Sequence, residues 1–208
     1  MKVIGLCGRS GSGKGYVCER FWRRGVPCID TDAIYRELTA AGEEMSALTR
    51  ELAGTFGSDV VRPDNSLDRK RLAGIVFGTS DRSALASLNT ISHKHILART
   101  DEILAEYDRQ GMALAVVDAP VLFESGYNSK CDMTVCVTAP EEKRVRRIMR
   151  RDGIDEESAR RRLAAQKDDS EVISLCDAVI VNDGDDADLD AQIDRIIGSV
   201  SEDEGRRA

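Results

Sequence analysis

Short apolar runs alternate with longer amphipathic stretches along the chain, and most runs stop at a glycine or a polar residue. Lys2 to Cys7 reads as a buried strand; a glycine-rich turn and a helical pattern from Lys14 to about Arg24 follow. Cys28-Ile29 stops at Asp30-Thr31-Asp32, Ala113 to Val117 stops at Asp118, and Ala178 to Val181 stops at Asn182. Met133 to Val137 is the remaining run. Apolar runs of this length, separated by helix-length segments, predict an α/β fold with a parallel five-stranded sheet flanked by helices. From Ala33 to Gln110 helix formers dominate and no strong strand pattern appears, which predicts a helical insertion over about residues 33–110. Its breaks are expected at Gly54, at Gly57-Ser58 and at Arg62-Pro63-Asp64-Asn65. Glu141 to Arg151 and Glu156 to Gln166 predict two further helices joined at Asp152-Gly153, within a lid of about residues 141–170. The expectation is one domain, 1–208, with a core of 1–32, 111–140 and 176–200 and a frayed tail from Ser201 to Ala208.

In open α/β sheets ligands bind beyond the carboxyl ends of the strands, so Gly8, Asp30, Asp32, Asp118 and Asn182 are candidates by position. Gly8-Arg9-Ser10-Gly11-Ser12-Gly13-Lys14 fits G-x-x-x-x-G-K between a strand and a helix, the phosphate-binding loop of P-loop nucleotide-binding proteins. Glycines let the backbone curl until successive N–H groups point at phosphate oxygens, and the helix aims its positive end at the same anion. Lys14 adds a full charge that can follow a γ-phosphoryl group in transfer. Gly8, Ser10, Gly11, Ser12, Gly13, Lys14, Gly15 and Tyr16 are therefore expected around ATP. The glycine order does not fit a dinucleotide fold. After Lys14 the usual Ser or Thr, whose hydroxyl binds Mg²⁺, is replaced by Gly15. The same glycine occurs in adenylate-kinase-like enzymes, where phosphates and water hold most of the metal, and it favours a small-molecule kinase over a GTPase-like switch.

Composition narrows the partners. The 208 residues are 41% hydrophobic and 4% aromatic, so the core should rest on Val, Ile, Leu and Ala. A net charge of −7 argues against a general nucleic-acid binder. No stretch approaches the roughly 20 apolar residues of a membrane helix, and the first apolar run is too short for a secretory signal, so a cytoplasmic protein without a membrane partner is expected, as a monomer or small homo-oligomer. Cys7, Cys18, Cys28, Cys131, Cys136 and Cys176 form no C-x-x-C pair and have no histidine at zinc-finger spacing. They read as reduced thiols packed as small hydrophobes, with metal or redox chemistry as the other reading.

Transfer to a hydroxyl needs a group that takes its proton and orients the oxygen. Asp32 fits that role from its position past the second strand, with Asp30 as support; simple capping of the next helix is the alternative. Asp30-Thr31-Asp32, Leu67 to Ala73 (LDRKRLA), Asp118 to Gly126 (DAPVLFESG), Arg147 to Gly153 (RIMRRDG), Arg162 to Gln166 (RLAAQ) and the Asp177 to Asn182 end carry a resemblance to the dephospho-coenzyme A kinase family. It implies ATP-dependent phosphorylation of the ribose 3′-hydroxyl of dephospho-coenzyme A, with Asp32 as base. It also implies an acceptor site with Asp32, His93, Asp118, Leu122 and Glu124, and Mg²⁺ held near Asp118 through a water. For Asp118 and Glu124, structural hydrogen bonding around Pro120 is the other reading; for His93, a satisfied helix histidine. The chain departs from the family at Lys94, where proline is usual.

On the Arg-rich helix, at about 100° per residue, Val145, Ile148 and Met149 form an apolar stripe with Arg144, Arg147 and Arg151 along one edge. Arg146 and Arg150 point away, as a solvated face does. Arginine's planar fork suits phosphate oxygens, so Arg147 and Arg151 are expected on ATP, Arg147 catalytically, with Asn182 also on the nucleotide. The family often has Gln at the position of Arg144, and nothing carries over to it. Two rival readings are another small-molecule P-loop kinase, of nucleoside or shikimate type, and a nucleotide-binding regulator without catalysis. The Asp118 to Gly126 segment speaks against the first, and Lys14, Asp32 and the arginines against the second.

Overall fold

The computed structural model describes residues 1–78, 82–166 and 168–202, without the side chains of Arg82 and Glu202. The apolar runs are strands β1 (Lys2–Cys7), β2 (Cys28–Asp30), β3 (Leu114–Asp118), β4 (Met133–Thr138) and β5 (Ala178–Val181). They form one sheet in the order β2-β3-β1-β4-β5. β1 runs parallel to β3 and β4, and β4 parallel to β5, with Leu6 opposite Asp118 and Cys7 opposite Cys136. The sheet grows from β1 to one side through β3 and to the other through β4. The carboxyl end of β1 therefore lies where the strand order reverses, the place at which such sheets bind ligands.

Strands β2, β3 and β4 each run one residue past the apolar pattern, to Asp30, Asp118 and Thr138. Ladder hydrogen bonds do not depend on side-chain polarity, and Ala119 N still donates to Leu6 O at 3.0 Å. Helix α1 (Lys14–Trp22) ends before Arg24, because the chain turns through Gly25 at φ 77. The lid segment carries α6 (Glu141–Asp152), α7 (Glu156–Ala164) and a short α8 (Asp169–Ser174) that the sequence pattern did not predict. The last helix, α9 (Asp186–Glu202), packs Leu189, Ile193 and Ile196 into a core with Ile4, Leu6, Val17, Phe21, Val116, Val135 and Ile180. As composition implied, this core is mainly aliphatic. The fraying expected of Ser201 to Ala208 falls mostly on residues 203–208, outside the described residues.

The chain divides into two compact units, Met1–Ile29 with Glu106–Ala208, and Asp30–Ala105. The second unit holds α2 (Thr31–Leu38), α3 (Ala47–Phe56), α4 (Arg69–Phe77) and most of α5 (Arg82–Arg109). Ser46 caps α3 by accepting from Thr49 N, and Asp68 caps α4 by accepting from Arg71 N. Its own core gathers Leu48, Leu52, Val60, Leu67, Leu72, Val76 and Ile91. Gly54, a predicted break, lies inside α3 instead; the packing of Leu48 and Leu52 outweighs the roughly 1 kcal/mol that glycine costs a helix. No helix among the described residues is long and apolar enough to cross a membrane.

Candidate active site

The loop from Gly8 to Lys14 leaves β1 and enters α1 through Gly13, which sits in the left-handed region at φ 90, ψ 31. A Cβ at Gly13 would lie 2.2 Å from Asn182 Nδ2, and one at Gly11 (φ 77) 2.6 Å from Arg144 O. Both contact and conformation therefore demand glycine there. Side chains hold the loop by its carbonyls. Arg147 Nη1 donates to Gly11 O at 3.2 Å and Ser12 O at 3.0 Å, and Asn182 Nδ2 donates to Ser12 O at 2.9 Å. Arg147 Nη2 reaches Asn182 O and Oδ1 at 3.2 and 3.3 Å, which joins the two braces. Arg144 Nε donates to Ser10 O at 3.1 Å, while its Nη1 donates to Asp169 Oδ2 at 2.7 Å. Gln166 Oε1 accepts from Ser10 N at 3.0 Å. Among the described residues, the N–H groups of Gly11, Gly13 and Lys14 keep no protein partner. Gly13 and Lys14 supply orphan donors of a helix start and Gly11 a donor from the loop before it, and with the helix dipole they make an anion site.

Lys14 opens α1 with its Nζ 3.3 Å from Gly8 O and 3.8 Å from Asp118 Oδ1. Cation and carboxylate thus stand side by side at the ends of neighbouring strands. Gly15 lies in the first turn of α1 with nothing within 4 Å of where a Cβ would be. Tyr16 is engaged away from the loop: its hydroxyl donates to Asp186 at 2.7 Å and accepts from Arg20 at 3.0 Å. The Tyr16 hydrogen bond, then Arg20, hold the Asp186 carboxyl below the usual carboxylate range. Asn182 is 2% exposed, and both its amide nitrogen and its amide oxygen take part in the brace.

The two arginines expected on ATP part company. Arg147 is on the loop, whereas Arg151 forms a two-pronged pair with Asp152 at 2.8 and 2.9 Å. Arg144, to which the sequence assigned nothing, is 2% exposed and sits against the loop. Arg146 and Arg150 face solvent. In the turn after β3, Leu122 is wholly buried over Gly5, which makes it a packing residue of the sheet, and Glu124 is exposed.

In the second unit, Asp30 Oδ1 accepts from Asp32 N at 2.8 Å and Ala33 N at 3.0 Å, so Asp30 is the cap of α2. Asp32 is the second residue of that helix and is exposed. The capping role considered for the Asp30-Asp32 pair thus falls to Asp30. His93 is half-buried on α5. His95 Nε2 lies 2.7 Å from Glu51 Oε2, and Lys94 donates to the same carboxylate at 2.8 Å. Lys94, then His95, hold the Glu51 carboxyl below its ordinary range. Lys94 therefore has a structural partner in the place where proline was expected.

Asp118 has the chemistry for a hard cation: an anionic oxygen donor beside the phosphate loop. Two buried polar atoms at the loop, Ser12 Oγ and Arg144 Nη2, have no partner among the described residues, which suits a site built for a polar ligand. The residues that sequence reasoning passed over are Arg9, Gln166 and Asp169, which tie the loop to α7 and α8. No spacing rule joins positions so far apart in the chain.

A family model described as Dephospho-CoA kinase matches residues 2–188. A dephospho-CoA kinase of Corynebacterium efficiens is 38% identical over 200 residues, 96% of this chain and 98% of the relative. Among solved structures, a dephospho-CoA kinase from Campylobacter jejuni superposes with a TM-score of 0.67 at 26% identity, covering 98% of this chain and 100% of its own. A Thermus thermophilus crystal structure superposes at 0.75 and 29% identity, covering 95% of this chain and 97% of its own.

Proposed function

The chain belongs to the dephospho-CoA kinase family, and from that premise we propose that it transfers the γ-phosphoryl group of ATP to the ribose 3′-hydroxyl of dephospho-coenzyme A. The products are coenzyme A and ADP. The observation that carries the reading is the braced Gly8 to Lys14 loop, with Lys14 Nζ 3.8 Å from the Asp118 carboxylate. The loop N–H groups and Lys14 receive the phosphates, and Lys14 stays with the γ-group as its bond to the β-phosphate oxygen breaks. Asp32 takes the proton of the acceptor hydroxyl as the new O–P bond forms; its carboxylate is available because Asp30 does the capping. Arg147 keeps the loop in shape and adds positive charge beside it. Asp118 is the residue that would hold Mg²⁺, through a water, and the ion when bound neutralises charge on the β- and γ-phosphates. Gly15 offers the metal no side-chain oxygen, so phosphates and water would supply most of its ligands. His93, Asp118 and Glu124 are each assigned a role toward the acceptor, and Leu122 supports the turn after β3. The chain works in the cytoplasm on small molecules, as a monomer or small homo-oligomer; its net charge of −7 gives nucleic acid little to bind.

An acceptor screen tests the reading. With purified protein, ATP and Mg²⁺, dephospho-coenzyme A should stimulate ADP release far more than shikimate, adenosine or AMP at equal concentration. A better rate with any of those three would overturn the assignment.

A further inference from the structure

Beneath the phosphate loop the fold collects three thiols that phosphoryl transfer does not use. Cys7 is the last residue of β1, Cys136 lies opposite it on β4, and Cys176 directly follows the α8 turn ahead of β5. Their sulfur atoms all lie within 4.8 Å of one another, and Cys7 Sγ and Cys176 Sγ are 3.4 Å apart. All are free thiols; Cys7 and Cys136 are buried and Cys176 is half-buried, which leaves the cluster one approach from the α8 side.

We propose that Cys7, Cys136 and Cys176 form a binding site for one Cu(I) ion. Metal–sulfur bonds of about 2.3 Å in a trigonal arrangement place the sulfurs about 4 Å apart. To reach that spacing the Cys7–Cys176 pair opens from 3.4 Å by about 0.6 Å, and no pair closes by more than about 0.8 Å from the 4.8 Å limit. The donor set is all sulfur, which selects soft ions and excludes Mg²⁺ and Ca²⁺. Zinc in a structural site takes four ligands, and among the described residues the cluster gathers only these three donors. Asp177 gives its carboxylate to Thr134 N and Oγ1, both at 2.7 Å, and Asp169 is paired with Arg9 and Arg144. Three thiolates suffice for Cu(I).

Binding displaces the thiol protons, which leave to solvent, and the three sulfurs end as thiolates sharing one metal.

The experiment is an anaerobic titration of the reduced full chain with Cu(I) against a chromogenic copper(I) chelator. Wild type should retain one copper per chain, and X-ray absorption at the copper edge should show three sulfurs at about 2.3 Å. Cys136→Ser and, separately, Cys176→Ser should each weaken retention at least tenfold. Cys131→Ser, outside the cluster, should leave it unchanged. The half-buried position of Cys176 keeps one variant interpretable if Cys136→Ser does not fold. No retained copper in wild type, retention undiminished in the folded Cys176→Ser variant, or a nitrogen or oxygen shell at the metal would overturn the site. The acceptor screen is a separate measurement: a chain that phosphorylates dephospho-coenzyme A but keeps no copper sinks this inference alone. A chain that keeps copper and ignores that acceptor sinks only the functional reading.

Discussion

Replacing Arg147 by lysine keeps the charge and removes the fork. In the structure that fork makes four hydrogen bonds: to Gly11 O, to Ser12 O, and to Asn182 through both its backbone and side-chain oxygens. A lysine ammonium at the end of a flexible stem can reach one or two of these acceptors but cannot span them in one plane. Losing two such bonds, at about 1 kcal/mol each after exchange with water, costs about 2 kcal/mol of loop order. At 1.4 kcal/mol per factor of ten, ATP affinity should fall by roughly 30-fold. Because the fork acts on the loop itself, the loss should appear in the Kd for ATP as well as in kcat. Arg146→Lys, on the exposed face of α6, should change neither by more than about twofold. Isothermal titration with a non-hydrolysable ATP analogue, followed by steady-state kinetics, reads both quantities. Unchanged nucleotide affinity in Arg147→Lys would refute the brace, and equal losses in the two variants would refute the face assignment as well.

Asp32→Asn keeps the shape of α2 but not the base, so turnover should drop by roughly a hundredfold or more with little change in ATP affinity; near-normal turnover would remove Asp32 from the chemistry. A Cβ added at Gly15 meets nothing within 4 Å, and the residue lies in a helical turn, which leaves room for Gly15→Thr. It should fold and should lower, or leave unchanged, the Mg²⁺ concentration for half-maximal rate; a folded variant that binds ATP but lacks activity would refute the metal account. Gly13→Ala forces alanine into the left-handed region, at about 1–2 kcal/mol, and drives its Cβ against the Asn182 amide. A thermal melt should fall by several degrees, and ATP binding should weaken at least tenfold; a wild-type melt and affinity would contradict the geometry.

The phosphate loop was legible in the sequence because its spacing is set by backbone geometry, which one chain segment contains entirely. The sheet was legible because buried parallel strands are apolar along their whole length. The lid arginines show where such reasoning stops. Arg144, Arg147 and Arg151 share one helical edge, yet Arg151 turns to Asp152, its neighbour in sequence, while Arg144 goes into the interior. A helical projection gives the direction of each side chain but not which acid will capture it. The Asp30-Asp32 pair was ambiguous for a similar reason: both residues suit a helix start, and only the hydrogen-bond geometry assigns the cap to Asp30. The six cysteines are free thiols in the structure, and nothing in their spacing could bring positions 7, 136 and 176 together. That meeting depends on the β1–β4 register.

The bracing of the loop also bears on entropy. Fixing a backbone residue costs about 1–2 kcal/mol, so ordering the seven residues from Gly8 to Lys14 takes on the order of 10 kcal/mol. Arg144, Arg147 and Asn182 hold that segment through contacts made within the protein. The ordering therefore belongs to folding, and an arriving triphosphate meets a cradle already set. Its electrostatic attraction to the loop can appear almost undiminished as affinity, with only a small change in the mobility of the backbone that receives it.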